Sequence, residues 1–152
     1  MQPIRNSAKA VIIRDGHLLL TVNKDDDGVF YQLPGGGQHV GEPLAEALRR
    51  ECREEIGVDV IVGDLRYVRE YIARHHEFAA TDGDVHQIEY MFACRLPEGA
   101  EPADGHEPDS MQVGVEWVPL ERLGATRLYP AALIPLLASA CADGPVYLGD
   151  VN

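Results

Sequence analysis

Cysteine is scarce. Three occur in 152 residues, Cys52, Cys94 and Cys141, widely spaced and with no CxxC pair. That excludes a disulfide framework and a cysteine zinc site, and it leaves buried free thiols in a reducing compartment. Positive charge is scarce as well: 13 Lys and Arg face 25 Asp and Glu, for a net charge of −12. Such a chain repels a phosphate backbone, which argues against a DNA or RNA polymer as partner. A small anionic substrate stays compatible if a divalent cation neutralises its site. Long apolar runs are missing. The stretch from Ala131 to Ala142 is interrupted by Pro135 and Ser139 and is too short to span a bilayer. Met1 to Asn6 has no apolar signal core. The expectation is a soluble cytoplasmic protein with no membrane partner. Neither an internal repeat, a low-complexity tract nor a dividing linker is seen, so one domain over residues 1–152 is expected.

What is present is ordinary for a globular domain: 45% apolar and 25% charged residues. Ala8–Ile13 and His17–Val22 are β-prone and flank Asp15-Gly16, a strong hairpin signal. Lys24–Gly28 reads as a loop, and Val29–Leu33 as a strand stopped by Pro34. Gly35-Gly36-Gly37 fits neither a helix nor a strand interior. Leu44, Leu48, Cys52 and Ile56 recur every four residues, predicting a helix from Pro43 to Ile56 that Gly57 ends. Strands are predicted over Val58–Val62, Leu65–Ile72, Asp84–Leu96 and Val113–Val118. Pro97–Ser110, rich in acids, Pro and Gly, predicts a mobile loop. Leu120–Leu123 predicts a helical turn and Pro130–Ala142 an apolar helix. The order implies a mixed sheet between helical layers.

On the central helix Glu51, Glu54 and Glu55 stand at i, i+3 and i+4, which puts three carboxylates on one face. At about 100° per residue they lie at the edge of the apolar stripe, and Ala47 leaves room beside them. Like charges this close destabilise a helix, and more so when partly buried. A hard divalent cation such as Mg²⁺, or Mn²⁺, resolves the conflict, whereas Zn²⁺ would bring His or Cys ligands. By itself the pattern also fits a solvated charged face paired with Arg49, Arg50 and Arg53. The preceding glycines change the balance, because backbone groups there can approach a metal or a phosphate. Glu46 and Arg50 are spaced as an i,i+4 ion pair.

Gly36, Glu42, Arg50, Glu51, Cys52, Glu54, Glu55, Gly57 and Val58 stand at the spacing GX5EX7REUXEEXGU. This resembles the box of the Nudix hydrolase family. The soft departure is Cys52, where a bulkier aliphatic residue is usual. Leu33-Pro34-Gly35-Gly36, the N-terminal hairpin and Glu116–Leu120 are similar to the family too. The resemblance implies an α/β fold, a Nudix-like α/β/α sandwich with a mixed β-sheet. It implies Mg²⁺-dependent attack of water on phosphorus of a nucleoside diphosphate linked to another moiety: a nucleoside triphosphate, an NDP-sugar, ADP-ribose or similar. Glu51, Glu54 and Glu55 would be metal ligands, with the Gly35 carbonyl as a further one and Glu51 or another acid as base. Glu42 and Arg50 would organise them. A non-catalytic nucleotide-binding regulatory module on the same scaffold is the alternative, and the intact carboxylate set argues against it.

Further acids outside the box are Glu107 and Asp109, just before the Val113–Val118 strand, and Glu89. Each is also readable as a surface acid. His75, His76 and His86 could supply a lid or base, Arg5, Lys9, Arg66 and Arg69 phosphate contacts, and Trp117 or Tyr90 a stacking face. Ordinary structural roles fit all of these. ADP-ribose-cleaving members tend to carry a proline where this chain has Ile72-Ala73-Arg74, and Tyr71 falls early for the dinucleoside polyphosphate pattern. Strand residues such as Tyr90–Cys94 could serve the core or a homodimer interface.

Overall fold

The computed structural model describes residues 2–138 and 144–152. Cys141 and the end of the expected C-terminal helix lie outside them. Strands β1 (Arg5–Arg14) and β2 (His17–Asp25) form the expected hairpin. Asp15 and Gly16 take consecutive positive φ of 52° and 72°, the geometry that matches strand twist in a two-residue turn. β3 (Gly28–Gln32) and β4 (Gly35–Gly37) follow, then helix α1 (Leu44–Ile56). After α1 come β5 (Ile61–Ile72), a 3₁₀ turn, α2 (Ala79–Asp82) and β6 (His86–Arg95). β7 (Gln112–Pro119), a 3₁₀ stretch over Leu120–Ala125, β8 (Leu128–Tyr129), α3 (Leu133–Ala138) and β9 (Tyr147–Asp150) complete the described chain.

The sheet is mixed. Its order is β8-β3-β2-β1-β6-β5-β9, with β4 added to β1 and β7 to β2. β1 and β6 run parallel, as do β3 with β8 and β5 with β9. Alternate residues of β1 and β2 enter opposite cores. Val11, Leu18 and Leu20 join Leu133 and Leu137 of α3 on one face; Ala10, Ile12 and Leu19 join Leu48, Cys52 and Ile56 of α1 on the other. That period of two across a sheet buried on both faces yields the α/β sandwich that the sequence implied.

β1 and β2 hydrogen-bond only near their turn, at Ile13↔Leu18 and Arg14↔His17. Beyond it they part: β1 takes β4 as a neighbour at Ser7↔Gly37 through Lys9↔Gly35, while β2 stays with β3 and β7. A cleft opens where they separate.

Several expectations are corrected. The glycine triplet is a strand, because bare backbone can lie against β1 where a side chain would clash. Residues 61–72 form one long strand with bulges, not two. The C-terminal helix begins at Leu133, after a turn that follows Pro130. β6 is an interior strand, and its Met91, Phe92 and Cys94 pack into the two cores. No helix among the described residues is long and apolar enough to cross a membrane.

Candidate functional site

α1 sets the site. Its apolar stripe turns Leu48, Cys52 and Ile56 into the core, which holds the carboxylates at the margin of that buried surface. Glu55 is buried, and Glu51 and Glu54 are partly covered. Against this face lies β4. A Cβ on Gly36 would sit 2.5 Å from the Glu51 carboxyl carbon, and one on Gly35, whose φ is +136°, would sit 2.1 Å from the Ala8 carbonyl oxygen. Only glycine lets the strand fit between helix and β1.

Arg50 organises the acids. Its guanidinium donates to Glu42 Oε1 at 2.7 Å and Oε2 at 3.2 Å, to the Gly37 carbonyl at 2.8 Å, to Glu51 at 2.9 Å and to Glu54 at 3.5 Å. The Arg50 hydrogen bonds, helped by the His39 amide, hold the Glu42 carboxyl down at about 2. The expected Glu46–Arg50 pair does not form. Exposed Glu46 bonds Arg49 instead, at 2.7 Å, because Arg50 finds more acceptors in its partly buried fork site.

Glu55 accepts from the Gly35 amide at 3.1 Å. Burial pushes its carboxyl up to about 7; Lys9 and the Gly35 amide oppose this, while Glu51 and Asp109 add to it. The segment 97–110 is irregular, as expected, but it is tied down rather than loose. Ala103, Gly105 and Glu107 donate their amides to the carbonyls of Ile56 (3.1 Å), Glu55 (3.1 Å) and Glu54 (3.0 Å), and the Gln112 side chain adds a bond to Glu55 O at 2.7 Å. Helix C-termini leave such carbonyls unpaired, and the loop satisfies them. It thereby brings Glu107 and Asp109 to the cleft wall beside Glu54 and Glu55.

The cleft is about 910 Å³. From β1, Arg5, Ser7 and Lys9 alternate onto its wall. Lys9 Nζ donates to the carbonyls of Gly35 at 3.3 Å and Leu33 at 3.5 Å. Arg69 and Glu89, each 5% exposed, form a buried ion pair on the same wall. Burial pushes Glu89 up, but Arg69, Lys9 and Gln87 together hold it below the usual range. Farther along, Phe30, Phe78 and Tyr129 line the cleft.

Other expected residues lie elsewhere. His75 and His76 both bond Asp150 at 2.7 Å, and His86 bonds Glu70 at 3.0 Å. His75 and His76 tie the turn after β5 to β9, His86 ties β6 to β5, and none of the three lines the cleft. Arg66 lies over the Tyr67 ring, 5.2 Å from its centroid. Trp117 packs beside the α1 core beneath Arg14. Tyr90 lies on interior β6 and, like Arg66 and Trp117, is absent from the cleft wall. Phe30, Gln32, Phe78, Tyr129 and Asn152 do line the cleft and were not anticipated. Phe30 and Gln32 share one face of β3 by alternation; Phe78 and Tyr129 carry no local signal.

Among the described residues, no three His, Cys, Asp or Glu side chains are already gathered at metal-ligand spacing. Glu51 and Glu54 are turned to Arg50, and Glu55 to an amide. The donor chemistry nonetheless suits a hard cation: Glu51, Glu54, Glu55, Glu107 and Asp109 are among ten acids that line the cleft with backbone glycines, and no His or Cys is in that lining.

The sequence model of the NUDIX domain family matches residues 3–138. The nucleoside triphosphatase NudI of Salmonella agona is 47% identical over 58 residues, which make up 36% of this chain and 41% of that protein. The chain thus spans about two fifths of the length of the curated relatives it matches. The solved MutT NUDIX hydrolase of Burkholderia pseudomallei is 28% identical with a TM-score of 0.63, covering 79% of this chain and 86% of that one. A NUDIX hydrolase of Nitrosomonas europaea shares the fold at 14% identity and a TM-score of 0.72, over 99% of this chain and 79% of that one.

Proposed function

The chain belongs to the Nudix family, and on that premise we propose that it is a divalent-metal-dependent pyrophosphohydrolase. Its substrate is a nucleoside triphosphate or another nucleoside diphosphate derivative, cleaved by attack of water on phosphorus. The single observation that carries this is the carboxylate face of α1, joined in one cleft by acids from the 97–110 loop. The nucleoside triphosphatase relatives support a nucleotide substrate. Residues 1–152 act as one domain in this reading.

Glu51, Glu54 and Glu55 would hold Mg²⁺ or Mn²⁺, with the Gly35 carbonyl, Glu107 and Asp109 as further oxygen donors. When bound, the ion supplies a more acidic water and neutralises phosphate oxygens. The chain's own groups do the rest. Arg50 keeps Glu42, Glu51 and Glu54 ordered. Arg5 and Lys9 give the polyphosphate its positive wall in an otherwise acidic cleft. Glu89 is tied up by Arg69, which makes it a poor proton acceptor. Phosphoryl chemistry of this kind asks for positioning and charge rather than a protein nucleophile.

The test is a Mg²⁺-dependent hydrolysis screen over nucleoside triphosphates, NDP-sugars, ADP-ribose and dinucleoside polyphosphates, with Glu54→Gln as control. Turnover of one class that the control loses supports the proposal. Silence across the panel with nucleotide still bound would favour a regulatory module instead.

A further inference from the structure

One guanidinium on the cleft wall is held from three directions. Arg69 of β5 is 5% exposed and lines the cleft. Its Nε is spent on Glu89, whose other oxygen accepts from the Gln87 side chain at 3.1 Å. Its Nη1 donates to the Val151 carbonyl at 2.6 Å and to Asn152 Oδ1 at 3.1 Å. The centroid of the Tyr71 ring lies 5.3 Å from its central carbon. Nη2 makes no hydrogen bond among the described residues, and it is not one of the sealed polar atoms there that lack a partner. It is therefore open to solvent, and the solvent that Arg69 meets is the cleft. A guanidinium carries its five N–H donors in one fixed plane, so fastening Nε and Nη1 also fixes the direction of the two donors on Nη2.

The fastening comes from β9, at the end of the sheet order. β9 runs parallel to β5 with Arg69 opposite Gly149 and Glu70 opposite Asp150, and the Val151 amide continues onto the Glu70 carbonyl at 3.2 Å. Asp150 anchors this stretch through His75 and His76, each at 2.7 Å, and the Ile72 amide at 3.0 Å. Asn152 Nδ2 donates to Glu77 Oε1 at 3.2 Å, which leaves its amide oxygen for Arg69. Without these acceptors Arg69 would keep Glu89 but could turn about that single contact. Resting on the proposed hydrolase reading, we infer that Asn152, together with the Val151 carbonyl, is a positioning residue of the cleft: it holds Arg69 so that Nη2 donates to a phosphate oxygen of the substrate. The local charge suits that ligand, since Arg69 and Lys9 outnumber Glu89 on this stretch of wall. An amide in this place accepts from Arg69 without adding the negative charge that a carboxylate would set against a phosphate.

The experiment is calorimetric titration with inorganic tripolyphosphate in EDTA, which reads the contact without a metal. Wild type is expected to bind the probe. Asn152→Leu, which keeps the bulk of the side chain and removes its oxygen, should bind it about fivefold to tenfold more weakly. Arg69→Lys, which keeps a cation for Glu89 but not the planar fork, should lose about as much. The double variant separates positioning from a merely structural role: in the Arg69→Lys background, Asn152→Leu should cost less than about twofold further. With Mg²⁺ and the substrate found by the hydrolysis screen, Asn152→Leu should raise KM by about fivefold to tenfold and leave kcat within about twofold. Losses that multiply in the double variant, an Asn152→Leu protein that binds the probe like wild type, or a wild type that does not bind it would each overturn the positioning role. If the hydrolysis screen is silent while the binding pattern holds, the positioning role stands and the hydrolase reading falls. If hydrolysis proceeds with the KM of Asn152→Leu unchanged, the reverse is true.

Discussion

The backbone amide of Glu107 donates to the carbonyl of Glu54 at 3.0 Å, so an acid of the loop and an acid of the helix are locked in register by one main-chain bond. Gly105 makes this approach workable. A Cβ there would lie 2.2 Å from the Glu54 carbonyl oxygen. Gly105→Ala is expected to lift the loop, cost about 1–3 kcal/mol of stability, and weaken Mg²⁺-dependent turnover by tenfold or more. Steady-state kinetics at varied Mg²⁺ with a thermal melt check it; unchanged kinetics would show that the docking does not position the acids.

Glu54→Gln should keep the fold and lose at least about a hundredfold in kcat, since it removes one proposed oxygen donor charge. Removing a like charge beside Glu51 and Glu55 should leave the melting temperature level or slightly higher. A Mg²⁺ titration followed by melting adds a second readout. Wild type should gain stability with added Mg²⁺, because the ion binds the folded state, and the variant should gain less. Equal gains would remove Glu54 from the ligand set.

Arg50→Lys should behave unlike a conservative change. Lysine cannot reproduce a fork that reaches Glu42, the Gly37 carbonyl, Glu51 and Glu54 together. A loss of about 1–3 kcal/mol is expected in urea unfolding, accompanied by reduced turnover. Retention of both would mean the fork is ornamental.

The Asp150 cluster gives an acid-side prediction. Burial pushes the Asp150 carboxyl up, but the His76 and His75 bonds and the Ile72 amide outweigh it and hold the carboxyl at about 2, below the ordinary 3.8. A depressed carboxylate stabilises the fold above its unfolded pKa, and this stability is lost as pH falls from about 4 towards 2. Asp150→Asn should therefore destabilise the protein at pH 6 and flatten the fall in melting temperature over that acid range. Parallel melting curves for the two proteins would contradict it.

How much was legible follows from how local each cause is. The Asp15-Gly16 turn, the fourfold spacing of α1 and the alternation of β1 and β2 depend on neighbours in sequence, and each formed as expected. The glycine triplet was read by conformational habit alone, and its strand character comes from two distant partners, Ala8 and Glu51. Arg50 was assigned a helix neighbour by spacing, yet Glu42 and Gly37, brought close by the turn before α1, took its place. The histidines looked available in sequence because Asp150, which holds two of them, lies more than seventy residues away. The loop acids Glu107 and Asp109 were placed by proximity to a strand, while the helix carbonyls that fix them could not be seen from the sequence. Phe78 and Tyr129 come from segments with no periodic signal and meet only through tertiary structure.

That last pair also bears on how such a protein could change. Tyr129 belongs to the first strand in the sheet order and Phe78 to the connection between β5 and β6, near the far end. Their contact clasps the two ends of a curled sheet. A mutation that trims either ring also loosens the clasp, so a wider cleft and a more open sheet would be acquired together. Drift that widened the cleft at these positions would need compensating changes elsewhere along the seam.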